Sequence, residues 1–182
     1  YKTNYVAIYK AIYMAICKAI YMAIYKAIYM IIHEAIYMAI SKEIRTAIKF
    51  DPAGPYTIFG GHQPSLSDLE LSEQFCKSIR AKIGNQADLL FGTHGQFTPS
   101  GAVRLARILE KYDPLWFEEP IPPDSPRNMK LVAKSTNIPI ATGERLTTKY
   151  EFAEVLRSGA ASILQPALGR VGGIWEAKKV AT

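Results

Sequence analysis

The amino-acid sequence predicts an α/β protein built on a parallel sheet, and three observations carry that reading. After residue 46, short apolar runs alternate with helix-length stretches. Proline and glycine punctuate nearly every junction between them. Glu118 and Glu144 each follow an apolar run and stand 26 residues apart, the size of one strand-helix unit. Parallel neighbours need helical crossovers, so units of this size imply a parallel sheet. Rhythm alone does not separate an open doubly wound sheet from a barrel. Acidic residues repeating at strand ends favour the barrel, whose strand ends converge on one mouth.

The first element stands apart from this pattern. Residues 1–50 contain none of the 12 Gly or 11 Pro, but 8 of the 11 Tyr and 4 of the 5 Met. They hold 7 basic and 2 acidic residues, so most of the net +6 of the 182-residue chain lies there. From Ala7 the chain runs in tetrads such as AIYK and AIYM, with Ile in second place from Ile8 to Ile48. A period of four drifts by about 40° per repeat around an α-helix, which leaves no clean solvent face. As a strand, the same tetrads place Ile with Lys or Met on one face and Ala with Tyr on the other. Abundant Ala, Lys and Met favour the helix. Neither Lys nor Tyr gathers on one helical face, so a membrane-surface or nucleic-acid role is not favoured. Residues 1–46 are read as a low-complexity extension without chemistry, and His33 within it as incidental.

Residues 47–182 form the second expected domain. Ala47–Phe50 reads as a strand, followed by a loop from Asp51 to Ser67. Ser67 or Asp68 offers an N-cap for a helix through Ile83, ended by Gly84. Leu89–Thr93 is the next strand, and Thr98-Pro99 opens a helix to about Tyr112. Leu115–Phe117 and Ile138–Thr142 are strands flanking a helix over Pro126–Ser135. Thr147–Arg157 is helical before Gly159, Ser162–Gln165 is the fifth strand, and Gly172-Gly173 opens the last helix.

Composition narrows the class further. Lys10, Lys18 and Lys26 interrupt the most apolar region, so no run reaches the roughly 18 residues of a membrane span. Cys17 and Cys76 form neither a disulfide framework nor a CxxC site, which fits a reducing cytoplasm. A closed barrel takes about 250 residues, so a barrel-like piece here is expected to be a fragment. Carboxylates converging at a barrel mouth suit a hard ion such as Mg²⁺, which wants oxygen ligands. Each acid could equally cap the next helix or face water.

FEEP at Phe117–Pro120, TGER at Thr142–Arg145, LQP at Leu164–Pro166 and GRVGGI at Gly169–Ile174 resemble the mandelate racemase branch of the enolase superfamily. THG at Thr93–Gly95 and AIKFDP at Ala47–Pro52 are similar to its acid-sugar dehydratases, particularly the galactonate dehydratase-like members. The resemblance implies a (β/α)₈ barrel with its second to sixth strands present. It implies Mg²⁺ clamping a substrate carboxylate while a base removes the adjacent proton and an acid helps a hydroxyl leave as water. Carried over by position, Glu118 and Glu144 are metal ligands and His94 is the acid. Lys49 touches substrate or acts as base, and Asp51 on the same face is a further substrate contact; His62, in the GGHQPS loop, either reaches substrate or is simply exposed. Glu119 points away from Glu118 and is structural.

Two positions depart from the family pattern. Gly92 stands where the first metal ligand is an aspartate, and Ala167 where an aspartate orients a later histidine. Asp88 lies about 13 Å further down the strand and cannot replace the lost ligand. The expectation is an acid-sugar dehydratase relative, impaired as this chain, that takes a sugar acid, binds no nucleic acid and self-associates. The alternatives are a non-catalytic barrel relative and a repeat-driven interaction protein.

Overall fold

The computed structural model describes residues 12–17, 19–20, 23–24, 47–53 and 61–182. The described residues among 1–46 are helical, and their side chains are exposed. The rest of the repeat, His33 and much of the first loop lie outside the described residues. The chain divides into two compact units, Tyr1–Ile44 and Arg45–Thr182. Among the described residues, no helix is long and apolar enough to cross a membrane.

The second unit is a strand-helix series: β1 (Ala47–Phe50), α1 (Leu66–Ile83), β2 (Asp88–Gly92), α2 (Pro99–Leu109), β3 (Pro114–Glu118), α3 (Pro126–Ala133), β4 (Ile140–Thr142), α4 (Lys149–Ser158), β5 (Ile163–Leu164) and α5 (Ile174–Ala181). All neighbouring strands are parallel. They lie side by side in the order of the sequence. A doubly wound sheet reverses its order at a switch point, and no reversal occurs here. Right-handed crossovers that always step the same way put every helix on one face. The unit is therefore an arc of a (β/α)₈ barrel.

Local chemistry places each element. Ser65 caps α1 with a full capping box, its hydroxyl taking the Asp68 N–H while the Asp68 carboxylate takes the Ser65 N–H. The cap thus sits two or three residues earlier than the Ser67 or Asp68 expected from the sequence, because Asp68 serves as the N3 partner. Thr98 caps α2 with Pro99 in its first turn, as expected. Past Leu109 the chain tightens into a 3₁₀ turn over Glu110–Tyr112. Thr148 and Glu151 form the capping box of α4, and Gly159 ends it in the left-handed region.

The core lies between strands and helices. Phe91 and Phe117 are completely buried, with Leu105 and Leu109 of α2, Met129 and Val132 of α3, and Phe152 of α4. Phe50, Phe91 and Phe117 are lateral neighbours across three strands. Their rings meet edge to face, at centroid distances of 5.3 and 6.5 Å. Side chains alternate along a strand, so residues 49, 92 and 118 share the opposite face. Arg80 ties the far ends together by donating to the carbonyls of Ala87, Tyr112 and Asp113. That leaves the C-terminal strand ends to carry the polar groups.

Candidate active site

Two ion pairs and one buried clamp gather at the C-terminal ends of β1 to β4. Lys49 Nζ lies 2.5 Å from Glu118 Oε2, pairing a half-exposed ammonium with a carboxylate that is 5% exposed. Gln165, just past β5, donates its side-chain amide to the same oxygen at 3.3 Å. Its Oε1 is buried and has no hydrogen-bond partner among the described residues. Gly92 is the lateral neighbour of Glu118. A β-carbon there would meet Lys49 Cε at 2.5 Å, so the lysine chain runs through the space a side chain at 92 would need.

The second pair joins His94 Nδ1 to Asp51 Oδ2 at 3.4 Å. Asp51 Oδ1 also accepts the Ala53 N–H at 2.8 Å, which fixes the carboxylate against its own loop. Burial pushes the Asp51 carboxyl up to about 6, against the opposing pull of the Ala53 N–H and the His94 ring. Asp51, expected from the sequence as a substrate contact, is paired with His94 here.

Glu119 holds the loops of this mouth in register. It is fully buried, with φ of +39°. Arg145 donates to its Oε2 through Nε at 2.8 Å and Nη2 at 2.7 Å. The same Nη2 also bonds the His94 carbonyl. The Glu119 carbonyl accepts the Gly95 N–H at 2.7 Å. Thr93 Oγ1 lies 2.6 Å from the Glu118 carbonyl and 2.9 Å from that of Glu119. A β-carbon at Gly95, where φ is +69°, would meet Arg145 Nη2 at 2.7 Å and Pro122 Cα at 2.9 Å. Burial raises the Glu119 carboxyl, and Arg145 opposes the rise. The FEEP, THG and TGER segments are thus one hydrogen-bonded assembly. The structural reading of Glu119 agrees with this geometry. Sequence reasoning gave Arg145 and Gln165 no role, although both stand inside quoted motifs.

The remaining candidates fall elsewhere. Glu118 neighbours Ala141 on β4, so Glu144 stands three residues beyond its lateral partner. The 26-residue spacing therefore gives a true lateral pair at Gly92 and Glu118 but overshoots on the next strand. Among the described residues, the Glu144 carboxylate makes no hydrogen bond or ion pair. His62 bridges to Phe97, with its ring 5.2 Å from that phenyl and its backbone bonded to Gln96 and Thr98. It lies against the start of α2 and outside both ion pairs. Ala167 lies in the turn after β5, where its carbonyl accepts the Arg170 and Val171 N–H groups.

Comparison with known proteins places this geometry. Residues 32–182 match the family described as Enolase C-terminal domain-like. The chain is 37% identical over 138 residues to a D-xylonate dehydratase of Haloferax volcanii, covering 74% of this chain and 34% of that protein. It is 41% identical over 103 residues to a D-galactonate dehydratase of Ralstonia nicotianae, covering 57% and 27%. A crystal structure of a mandelate racemase/muconate lactonizing enzyme from a Sulfitobacter species superposes with a TM-score of 0.78 at 64% identity, covering 81% of this chain and 37% of that one. A mandelate racemase/muconate lactonizing enzyme-like protein from a Roseovarius species gives 0.78 at 62% identity, over 82% and 37%. The chain spans about a third of the length of the curated dehydratases it matches. With its parallel strand order and the FEEP, THG and TGER assembly, this chain belongs to the enolase C-terminal domain-like family, within the mandelate racemase/muconate lactonizing enzyme group.

Proposed function

We propose that residues 47–182 are barrel machinery of an acid-sugar dehydratase, holding the carboxylate end of a sugar acid, and that this chain by itself binds without turning over. One observation carries the reading: Lys49 with Glu118, and Asp51 with His94, are paired at the C-terminal ends of β1 to β3, where barrel enzymes do their chemistry. Lys49 supplies the charge for a substrate carboxylate. His94, held by Asp51, is the proton donor for a departing hydroxyl. His62 contributes from the rim, and Glu144 from the loop after β4.

The Mg²⁺ implied by the family does not fit this donor set. Gly92 offers no ligand, Glu118 is engaged by an ammonium, and Glu144 stands apart. Among the described residues, no group of three His, Cys, Asp or Glu side chains is arranged to hold a metal. Groups that act as a unit lose most of the rate when one member is missing. Slow or absent dehydration follows from that.

The test is titration of the full chain with D-galactonate and D-xylonate, together with an assay for 2-keto-3-deoxy product. Saturable binding weakened by His94→Ala, without product, supports the reading. Failure to bind any aldonate would favour a non-catalytic barrel relative. Product formation that Glu144→Gln abolishes would show that the metal site is intact after all. A reducing cytoplasm is the compartment that suits the free thiols of Cys17 and Cys76.

A further inference from the structure

We infer that Lys49 is the resident cation of the barrel mouth, occupying the ion position beside Glu118 and excluding a divalent metal from it. The loss of a carboxylate at residue 92 is not a simple vacancy. The lysine chain fills the space, with Cε 2.5 Å, Cγ 3.5 Å and Cδ 3.6 Å from where a β-carbon would stand. With glycine at 92, Lys49 lies flat across β2 and delivers its ammonium to Glu118 Oε2 at 2.5 Å. Glycine and lysine are therefore complementary parts of one arrangement.

A buried carboxylate needs a compensating charge, and Glu118 is 5% exposed. In this chain that charge is covalently attached. An ammonium brings three donors and one charge on a compact head. It satisfies the carboxylate that a hard divalent ion would otherwise require as an oxygen ligand. Gln165 completes the arrangement by donating to the same oxygen, which leaves Oε2 doubly engaged. The Lys49 side chain stays 48% exposed while it makes this pair. The inference rests on the family reading only for where a metal would otherwise sit, and its test contains no sugar acid.

Calorimetric titration of the full chain with Mg²⁺ alone decides it, with Mn²⁺ uptake followed by loss of the free-ion EPR signal as the second readout. The parent chain and Lys49→Arg, which keeps the charge, are expected to show no saturable uptake up to roughly 1 mM. Lys49→Met and Lys49→Gln, with thermal melting showing which are folded, are expected to bind about 5- to 150-fold more tightly. Adding Glu118→Gln to either should abolish that gain. Equal uptake by the parent and the neutral variants, whether all bind or none does, would overturn the inference. Lys49→Arg binding as tightly as Lys49→Met would overturn it as well.

Discussion

Lys49 Nζ sits 2.5 Å from Glu118 Oε2, and the same lysine chain passes through the space above the Gly92 α-carbon. The two residues belong to strands that are not neighbours, β1 and β3, and the side chain crosses β2 to join them. A residue with a side chain at 92 must therefore move Lys49 before it can do anything else. The moving part is the far end of a flexible chain, so the displacement is inexpensive.

Gly92→Asp follows from this. The new carboxylate pushes Lys49 aside and places an acid directly beside Glu118, its lateral partner. Mg²⁺ affinity is expected to rise by about 1–3 kcal/mol, roughly 5- to 150-fold. The gain should vanish when Glu118→Gln is added, because the two acids then no longer share an ion. Calorimetry on the four proteins of that cycle measures it. Equal affinities in folded parent and variant would mean that these strand ends do not form an ion site.

Arg145→Met should be among the most damaging single changes. It strips the fully buried Glu119 of its partner and removes the donor to the His94 carbonyl. Breaking a buried pair from one side costs about 3–5 kcal/mol. Urea unfolding should show the midpoint falling with little change in slope. A loss below about 1 kcal/mol would show that Glu119 is satisfied without the guanidinium.

Asp51 gives the pH dependence a sign. Its carboxyl is raised from 3.8 to about 6 in the folded chain, so the folded state holds the proton better than the unfolded one. Stability from this group is present at low pH and is lost as pH rises from about 4 to about 6. The loss is on the order of 1–3 kcal/mol. Asp51→Asn, which keeps an acceptor for the Ala53 N–H, should flatten that part of the profile. Urea midpoints for both proteins across pH 4 to 7 provide the comparison, and parallel curves would contradict it.

The two thiols should react very differently. Cys17 is exposed, whereas Cys76 is completely buried in α1, where burial pushes its thiol up. Ellman's reagent at pH 8 should titrate one thiol quickly and the second only in denaturant. Rapid reaction of both would mean that α1 does not pack as described.

Self-association is the last expectation. Among the described residues, β1 and β5 each pair on one side only, which leaves two sheet edges open to another strand. Tyr150, Leu156, Ile174 and Trp175 add exposed apolar surface on α4 and α5. Light scattering coupled to size exclusion at tens of micromolar should give masses above the 20.3 kDa of one chain. A sharp monomer peak would count against it.

The sequence by itself determined the order and type of the elements after residue 46. Caps, helix-ending glycines and apolar runs are local signals, readable within a few residues; Thr98-Pro99 and Gly159 mark their helix ends as read. Its one misplaced cap, at Ser65, came from a competing acid: Asp68 serves the box rather than opening it. Family motifs also brought out Lys49, Glu118, His94 and Asp51. Tertiary structure alone decided what these residues do to one another. Whether Glu118 meets Lys49 or Glu144 depends on strand stagger, which moves Glu144 three residues past its expected neighbour. Whether Arg145 faces solvent or Glu119 depends on how three loops fold over one another. Gly92 carries the same lesson. In the sequence it is a missing carboxylate, and in the fold it is the space through which a lysine reaches a buried acid.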